Sequence, residues 1–270
     1  MARHFRNAVA FVLLTATPVW ATEAVNNPLT DSDTWQELRG DIVGEVPIGN
    51  GDAMLQVDAP YRAHDAATVP VVLRQIDPGI QITRATVVID ENPAPVAAEF
   101  TFSEAMAPLE FELRVRVNQY SNLRVITETP DGLQMAGRYI KASGGCSAPA
   151  TRDPEVALAS MGQMKLRMFG EPAQMSTPRR EAQIMIRHPN YSGLQRDQIT
   201  QLFIPAHFID HLEVWQGEDL LFSMDGGISI SENPVFRFTY TDNGATDLTV
   251  KATDTDGNRF EKSLPKAAAS

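Results

Sequence analysis

The sequence predicts an all-β protein: two β-sandwiches joined by a flexible linker, with one short helix ahead of them. Three observations carry this. Short apolar/polar alternations of period two recur from residue 53 to 142 and again from 165 to 264. Turn residues separate the runs, with no helical period between them. The two sets are divided by residues 143–162, which are rich in Gly, Ala, Ser and Pro.

Taken in order, residues 1–21 have the layout of a secretory signal peptide. Arg3, His4 and Arg6 form a basic start, Ala8 to Thr17 an apolar run, and Val19-Trp20-Ala21 a small-residue cleavage site. The mature chain is expected to begin near Thr22, outside the cytoplasm and in the periplasm of a bacterium. From Asp31 a short helix is predicted, capped by Asp31 or Asp33 and stopped by Gly44 and Pro47. Trp35, Leu38, Ile42 and Val43 give it an apolar side.

Seven β-like runs follow, at 53–59, 69–76, 80–89, 97–102, 109–117, 123–129 and 133–142. In one of them Phe111, Leu113, Val115 and Val117 alternate with Glu110, Glu112, Arg114 and Arg116, which predicts apolar residues inward and charges outward. Pro70 cannot donate to a ladder, so Val69-Pro70-Val71 starts a strand or lies at a sheet edge. The first sandwich, with its helix, spans 31–142. The second spans 163–264, with runs at 165–169, 181–187, 208–215, 220–224, 235–241, 248–253 and 259–264. The two are expected to be separate sandwiches packed against each other.

Across 270 residues the formal charge is −11, and loss of residues 1–21, with Arg3 and Arg6 and no carboxylate, makes it −13. Such a surface argues against nucleic acid, whose phosphates require Lys and Arg. It favours basic protein partners, such as a cytochrome c. No segment is apolar over the ~20 residues that a membrane-spanning helix needs.

The linker holds the one cysteine, within Ser143-Gly144-Gly145-Cys146-Ser147-Ala148-Pro149. A single Cys forms no internal disulfide, and an unpaired one in a secreted chain suggests intermolecular chemistry. Gly144, Gly145 and Ser147 open an arm, residues 143–162, that is expected to be exposed and mobile, with Cys146 accessible. Only Lys141 and Arg152 lie near in sequence to lower its pKa, and no base stands beside it. The thiol therefore reads as a handle for other enzymes rather than a catalytic nucleophile.

His188, His207 and His211 include a His-x-x-x-His spacing. On the strand predicted there, residues four apart lie roughly 13 Å from each other, too far for one zinc with ~2.0–2.1 Å bonds. No metal and no cofactor is implied. The pairs Asp90/Glu91, Glu218/Asp219 and Asp254/Asp256 read as solvated turn carboxylates, although Asp254 to Asn258 has a faint likeness to a calcium loop. Met161, Met164, Met168 and Met175 read as gap fillers.

The first half resembles SoxY through Asp58-Ala59-Pro60, Val69-Pro70-Val71, Asn92-Pro93-Ala94-Pro95, Phe100-Thr101-Phe102 and the closing Lys141-Ala142-Ser143-Gly144-Gly145-Cys146. The second resembles SoxZ through His188-Pro189, Gly193-Leu194, Ile204-Pro205-Ala206-His207-Phe208-Ile209, Asn233-Pro234-Val235-Phe236 and Asp256-Gly257. A Y-then-Z fusion is similar to the quinoprotein dehydrogenase-associated SoxYZ-like carriers. The resemblance implies two immunoglobulin-like β-sandwiches and a carrier without a catalytic site of its own. Cys146 would be the covalent attachment point for sulfur-containing intermediates of sulfur and thiosulfate oxidation. It implies as partners periplasmic oxidising enzymes of Sox type, or a quinoprotein dehydrogenase or its cytochrome c. SoxY ends in Gly-Gly-Cys-Gly-Gly, whereas here Ser147-Ala148-Pro149 follows and the arm is tethered at both ends. The alternative reading is a non-covalent acidic adaptor in which Cys146 is incidental.

Overall fold

The computed structural model describes residues 27–149, 154–170 and 178–266. The expected signal peptide lies outside the described residues. Helix α1 (Asp33–Val43) is capped by neither expected aspartate: Ser32 Oγ accepts from the Trp35 N–H at 3.0 Å. Gly44, at φ +64°, ends it. The helix buries Trp35 against Val88 and Ile126, and the Arg124 guanidinium lies 4.5 Å from the Trp35 ring.

Fifteen strands follow among the described residues. The first half holds β1 (Ile48–Asn50), β2 (Leu55–Asp58), β3 (Val69–Gln75), β4 (Arg84–Ile89), β5 (Val96–Phe102), β6 (Glu110–Val115), β7 (Ser121–Thr129) and β8 (Gly132–Ile140). A short helix α2 (Pro154–Ala159) precedes the second half. This holds β9 (Met164–Phe169), β10 (Arg179–Ile186), β11 (Ile209–Gln216), β12 (Asp219–Gly226), β13 (Val235–Thr241), β14 (Asp247–Asp254) and β15 (Arg259–Pro265).

The all-β class and the short N-terminal helix stand. The separation into two sandwiches does not. The strands form one nine-stranded sheet, β1-β8-β7-β4-β5-β12-β11-β14-β15, and one six-stranded sheet, β2-β3-β6-β13-β10-β9. Both sheets cross from the first half to the second. In the larger, β5 pairs antiparallel with β12, from Phe102↔Phe222 to Ala98↔Gly226. In the smaller, β6 pairs with β13 at Phe111↔Phe238 and Glu112↔Arg237. Separate sandwiches would leave these four strands as edges with unpaired backbone groups, and the crossing satisfies them.

A single core fills the space between the sheets and draws on both halves. Its centre is a phenylalanine cluster: Phe111 lies 5.0 Å from Phe100 and 5.1 Å from Phe222, and Phe222 lies 5.1 Å from Phe238, centroid to centroid. All three pairs are edge-on, the arrangement that ring quadrupoles favour. Along β6 the expected alternation is seen, with Phe111, Leu113 and Val115 buried. Pro70 sits at the second position of β3, beyond the Val72↔Asp58 pair that ends contact with β2, so its missing N–H leaves no gap in the ladder.

Two turn carboxylates depart from the solvated reading. Asp90 is buried and takes both nitrogens of a fork from Arg124, at 2.8 and 2.9 Å. Asp254 is buried as well.

A closed thiol seat between the halves

After β8 the chain does not become a loose arm. Lys141 N–H donates to Tyr61 O at 2.7 Å, Gly144 N–H to Asn118 O at 2.8 Å and Gly145 N–H to Val117 O at 3.0 Å. Gly144, at φ +79°, starts a tight turn closed by the Ser147 N–H on Gly144 O at 3.2 Å. Gly145 passes so close to another strand of backbone that a Cβ there would lie 2.1 Å from Ala66 O. Cys146 follows at 0% exposure. The expectation that Cys146 is accessible is therefore corrected: Gly145 and Cys146 are buried, while Ser143, Ser147 and Pro149 around them are exposed. The small residues that suggested flexibility are those that let one backbone pack directly on another. Residues 150–153 of the expected linker lie outside the described residues, and part of the remainder forms α2.

Three groups close the seat. Arg116 follows β6 and was expected to point outward, but it is 1% exposed. Its Nη1 donates to Gly145 O at 3.4 Å and its Nη2 to Asn190 O at 3.1 Å. Its Nε has no hydrogen-bond partner among the described residues. The alternation fails at Arg116 because the loop 188–207 of the second half covers the face that solvent would otherwise occupy. From that loop, buried Ser192 donates its hydroxyl to Cys146 O. Buried Gln195 donates Nε2 to Ala148 O at 2.8 Å while its Oε1 accepts from Ser192 N–H at 3.2 Å. Below the seat, Asn92 bridges the halves, with Nδ2 on Arg116 O at 2.7 Å and on Ser229 Oγ at 2.8 Å.

Burial pushes the Cys146 thiol up to about 11, against the opposing pull of the Arg116 cation. At pH 7 the thiolate fraction in this closed state is then ~10⁻⁴. The same burial lowers the pKa of Arg116. The seat holds a neutral, shielded thiol next to a desolvated cation.

The histidines divide. His211 lies at the surface, 2.7 Å through Nδ1 from Asp225 Oδ1. His188 and His207 meet instead at Asp254, with Nε2 at 3.2 and 2.8 Å from the same carboxylate oxygen. Their ligand atoms and that of Asp254 all lie within 4.8 Å of one another, a spacing that would suit a cation. The protons favour a different use. Asn190 N–H donates to His188 Nδ1 at 3.1 Å, which leaves the ring proton on Nε2, facing Asp254. Asp254 also accepts from Asn258 N–H and Asp256 N–H at 2.9 and 3.1 Å. Burial raises the Asp254 carboxyl, but hydrogen bonds from Asn258, His207 and His188 outweigh it and hold it at about 2. The cluster is a carboxylate hub that ties together both ends of the 188–207 loop. Through Asn190 it connects to Arg116 and the thiol seat.

Gly144, Gly145 and Ser147 thus shape the seat, and Cys146 occupies it. Sequence reasoning missed Arg116, Asn190, Ser192 and Gln195. Nothing local distinguishes Ser192 or Gln195, whose roles arise only where the halves meet.

Comparison with known families settles what the halves are. The model for sulfur oxidation protein SoxY matches residues 39–146, ending on the buried cysteine, and that for sulphur oxidation protein SoxZ matches residues 171–265. The chain belongs to the SoxYZ family, with both members fused in one polypeptide. Among solved structures, the sulfur carrier protein SoxY from Chlorobium limicola f thiosulfatophilum is 30% identical. The match covers 40% of this chain and 94% of that one at a TM-score of 0.34. A superoxide reductase (neelaredoxin) from Ignicoccus hospitalis is 13% identical, covering 39% of this chain and 90% of that one at a TM-score of 0.29. No curated relative matches. The β5–β12 and β6–β13 pairings are thus the junction of the SoxY half with the SoxZ half, and the thiol seat is built across it. Among the described residues no helix is long and apolar enough to cross a membrane.

Proposed function

We propose that the chain is a periplasmic covalent carrier that presents sulfur-containing intermediates on Cys146 to partner oxidising enzymes. The observation that carries this reading is the position of the thiol. The single Cys of the chain stands where the SoxY match ends, in a seat made by both halves. A carrier requires a group that can be covalently loaded and unloaded, and sulfur is the nucleophile a Ser hydroxyl cannot replace at neutral pH. The raised thiol pKa supports a handle worked on by other enzymes rather than a nucleophile active by itself. The partners are Sox-type oxidising enzymes, or a quinoprotein dehydrogenase or its cytochrome c, and the acidic charge suits basic surfaces on them. The periplasmic location is supported by the signal-peptide layout of residues 1–21.

A strain carrying Cys146→Ser tests the reading, together with intact-mass measurement of wild-type protein from its native compartment. The expected results are loss of the growth trait that requires the gene, with folding retained, and an adduct mass located on Cys146. Wild-type growth of the Cys146→Ser strain would sink the carrier and favour the acidic adaptor, for which reversal of surface carboxylates is the damaging change.

A further inference from the structure

We propose that Ser192 and Gln195 of the SoxZ half form a latch, which keeps the unloaded Cys146 thiol closed and must release before the thiol can react. This deepens the carrier reading by naming positioning residues and a control step for the same site. Both residues hold the arm from outside it. Ser192 holds the carbonyl of Cys146 itself, and Gln195 holds that of Ala148. The two side chains are coupled, because Gln195 Oε1 fixes the Ser192 backbone and Ser192 Oγ accepts from Leu194 N–H at 3.2 Å. Both side chains are buried, and the Ser192 bond to Cys146 is shut off from solvent, while the Gln195 bond meets the half-buried Ala148.

The closed state also carries a cost that favours release. Arg116 is a buried cation whose Nε–H has no acceptor among the described residues, and an unsatisfied charged donor is expensive to keep from water. Opening the loop hydrates it. The seat is close-packed: Gly145 lies against Ala66 O and Val117 O, and Cys146 is wholly enclosed. A sulfur adduct adds several heavy atoms to Sγ, and a packed interior does not take such volume without displacement. The bare thiol therefore closes and the loaded thiol stays out. Empty carrier is shielded from stray oxidants, and loaded carrier is displayed to its partners.

The test is the rate at which 4,4′-dithiodipyridine labels Cys146 in the full chain, as a function of urea, for wild type, Ser192→Ala, Gln195→Ala and the distant control Ser263→Ala. Ser263 shares a hydrogen bond with Thr249 at the far side of the larger sheet. Wild type should label slowly, at a rate nearly flat in urea below the unfolding midpoint, the mark of local opening. Each latch variant should label about tenfold faster, the usual effect of one lost buried hydrogen bond, and Ser263→Ala should match wild type. Latch variants within twofold of wild type overturn the proposal. So does a wild-type rate equal to that of the unfolded chain, or one as steep in urea as global unfolding. If a variant fails to fold, the wild-type urea dependence decides alone. Since the reagent is synthetic, these rates do not depend on the cargo. The carrier reading stands or falls separately on Cys146→Ser.

Discussion

At Gly145 there is no room for a side chain: a Cβ would lie 2.1 Å from Ala66 O and 2.7 Å from Val117 O, both backbone atoms that cannot swing aside. Gly145→Ala should therefore lower stability by ~2–3 kcal/mol, read as a fall in the urea midpoint, and should speed labelling of Cys146. An unchanged midpoint would mean that the close approach relaxes freely. The run Ser143 to Pro149 was legible as special, but its physical meaning was open. Glycines serve both mobility and close backbone contact, and only the position of Ala66 and Val117 selects the second. Arg116 shows the same limit. Its place in the Glu110 to Val117 alternation gave its face correctly, but not that a loop some 75 residues later would cover that face.

Among the elements, the 188–207 loop is tied to protonation through His188. Burial lowers the pKa of His188, against the opposing hydrogen bond to Asp254. A histidine that resists protonation in the fold takes up a proton more readily when unfolded. Its contribution is fully present above about pH 6.5 and is lost as pH falls below that. The carboxyl of Asp254, held at about 2, contributes at any pH above ~3.9 and is lost only in stronger acid. His211 acts in the opposite sense. Its pKa is raised, chiefly by Asp225, so its contribution is present below about pH 6.5 and lost at higher pH, weakened by exposure. The expected outcome is that the gap in urea midpoint between wild type and His188→Gln narrows between pH 7.5 and pH 5. A gap that does not change with pH would show that the hub does not hold His188 neutral. The strand spacing around Ile209 to Gln216 was legible in the alternation and placed His207 and His211 apart. That His207 would meet His188 and Asp254 was not, since Asp254 ends a strand from the far side of the sequence. The three-residue β1 is too short for any period to register.

For the whole molecule, continuity of both sheets makes the two family halves one folding unit. Heating should give a single transition whose calorimetric and van't Hoff enthalpies agree, and two resolved transitions would contradict the shared core. Alternation in the sequence located the strands and their inward faces, hence the all-β class. It could not locate partners, because period two states which side a residue faces and not which strand lies beside it. Joining the halves through β5–β12 and β6–β13 has a further result for how the protein behaves in a crowded compartment. Two free-standing sandwiches would show twice as many open sheet borders as this arrangement does. The borders that remain are poor templates for another chain. At one end β1 and β2 are short. At the other, β9 exposes Lys165 and Arg167, and β15 exposes Arg259, Glu261 and Lys262 before Pro265. Short, charged or proline-ended borders resist strand addition. The fused carrier is thus guarded against β-aggregation by the same pairing that shuts its thiol away.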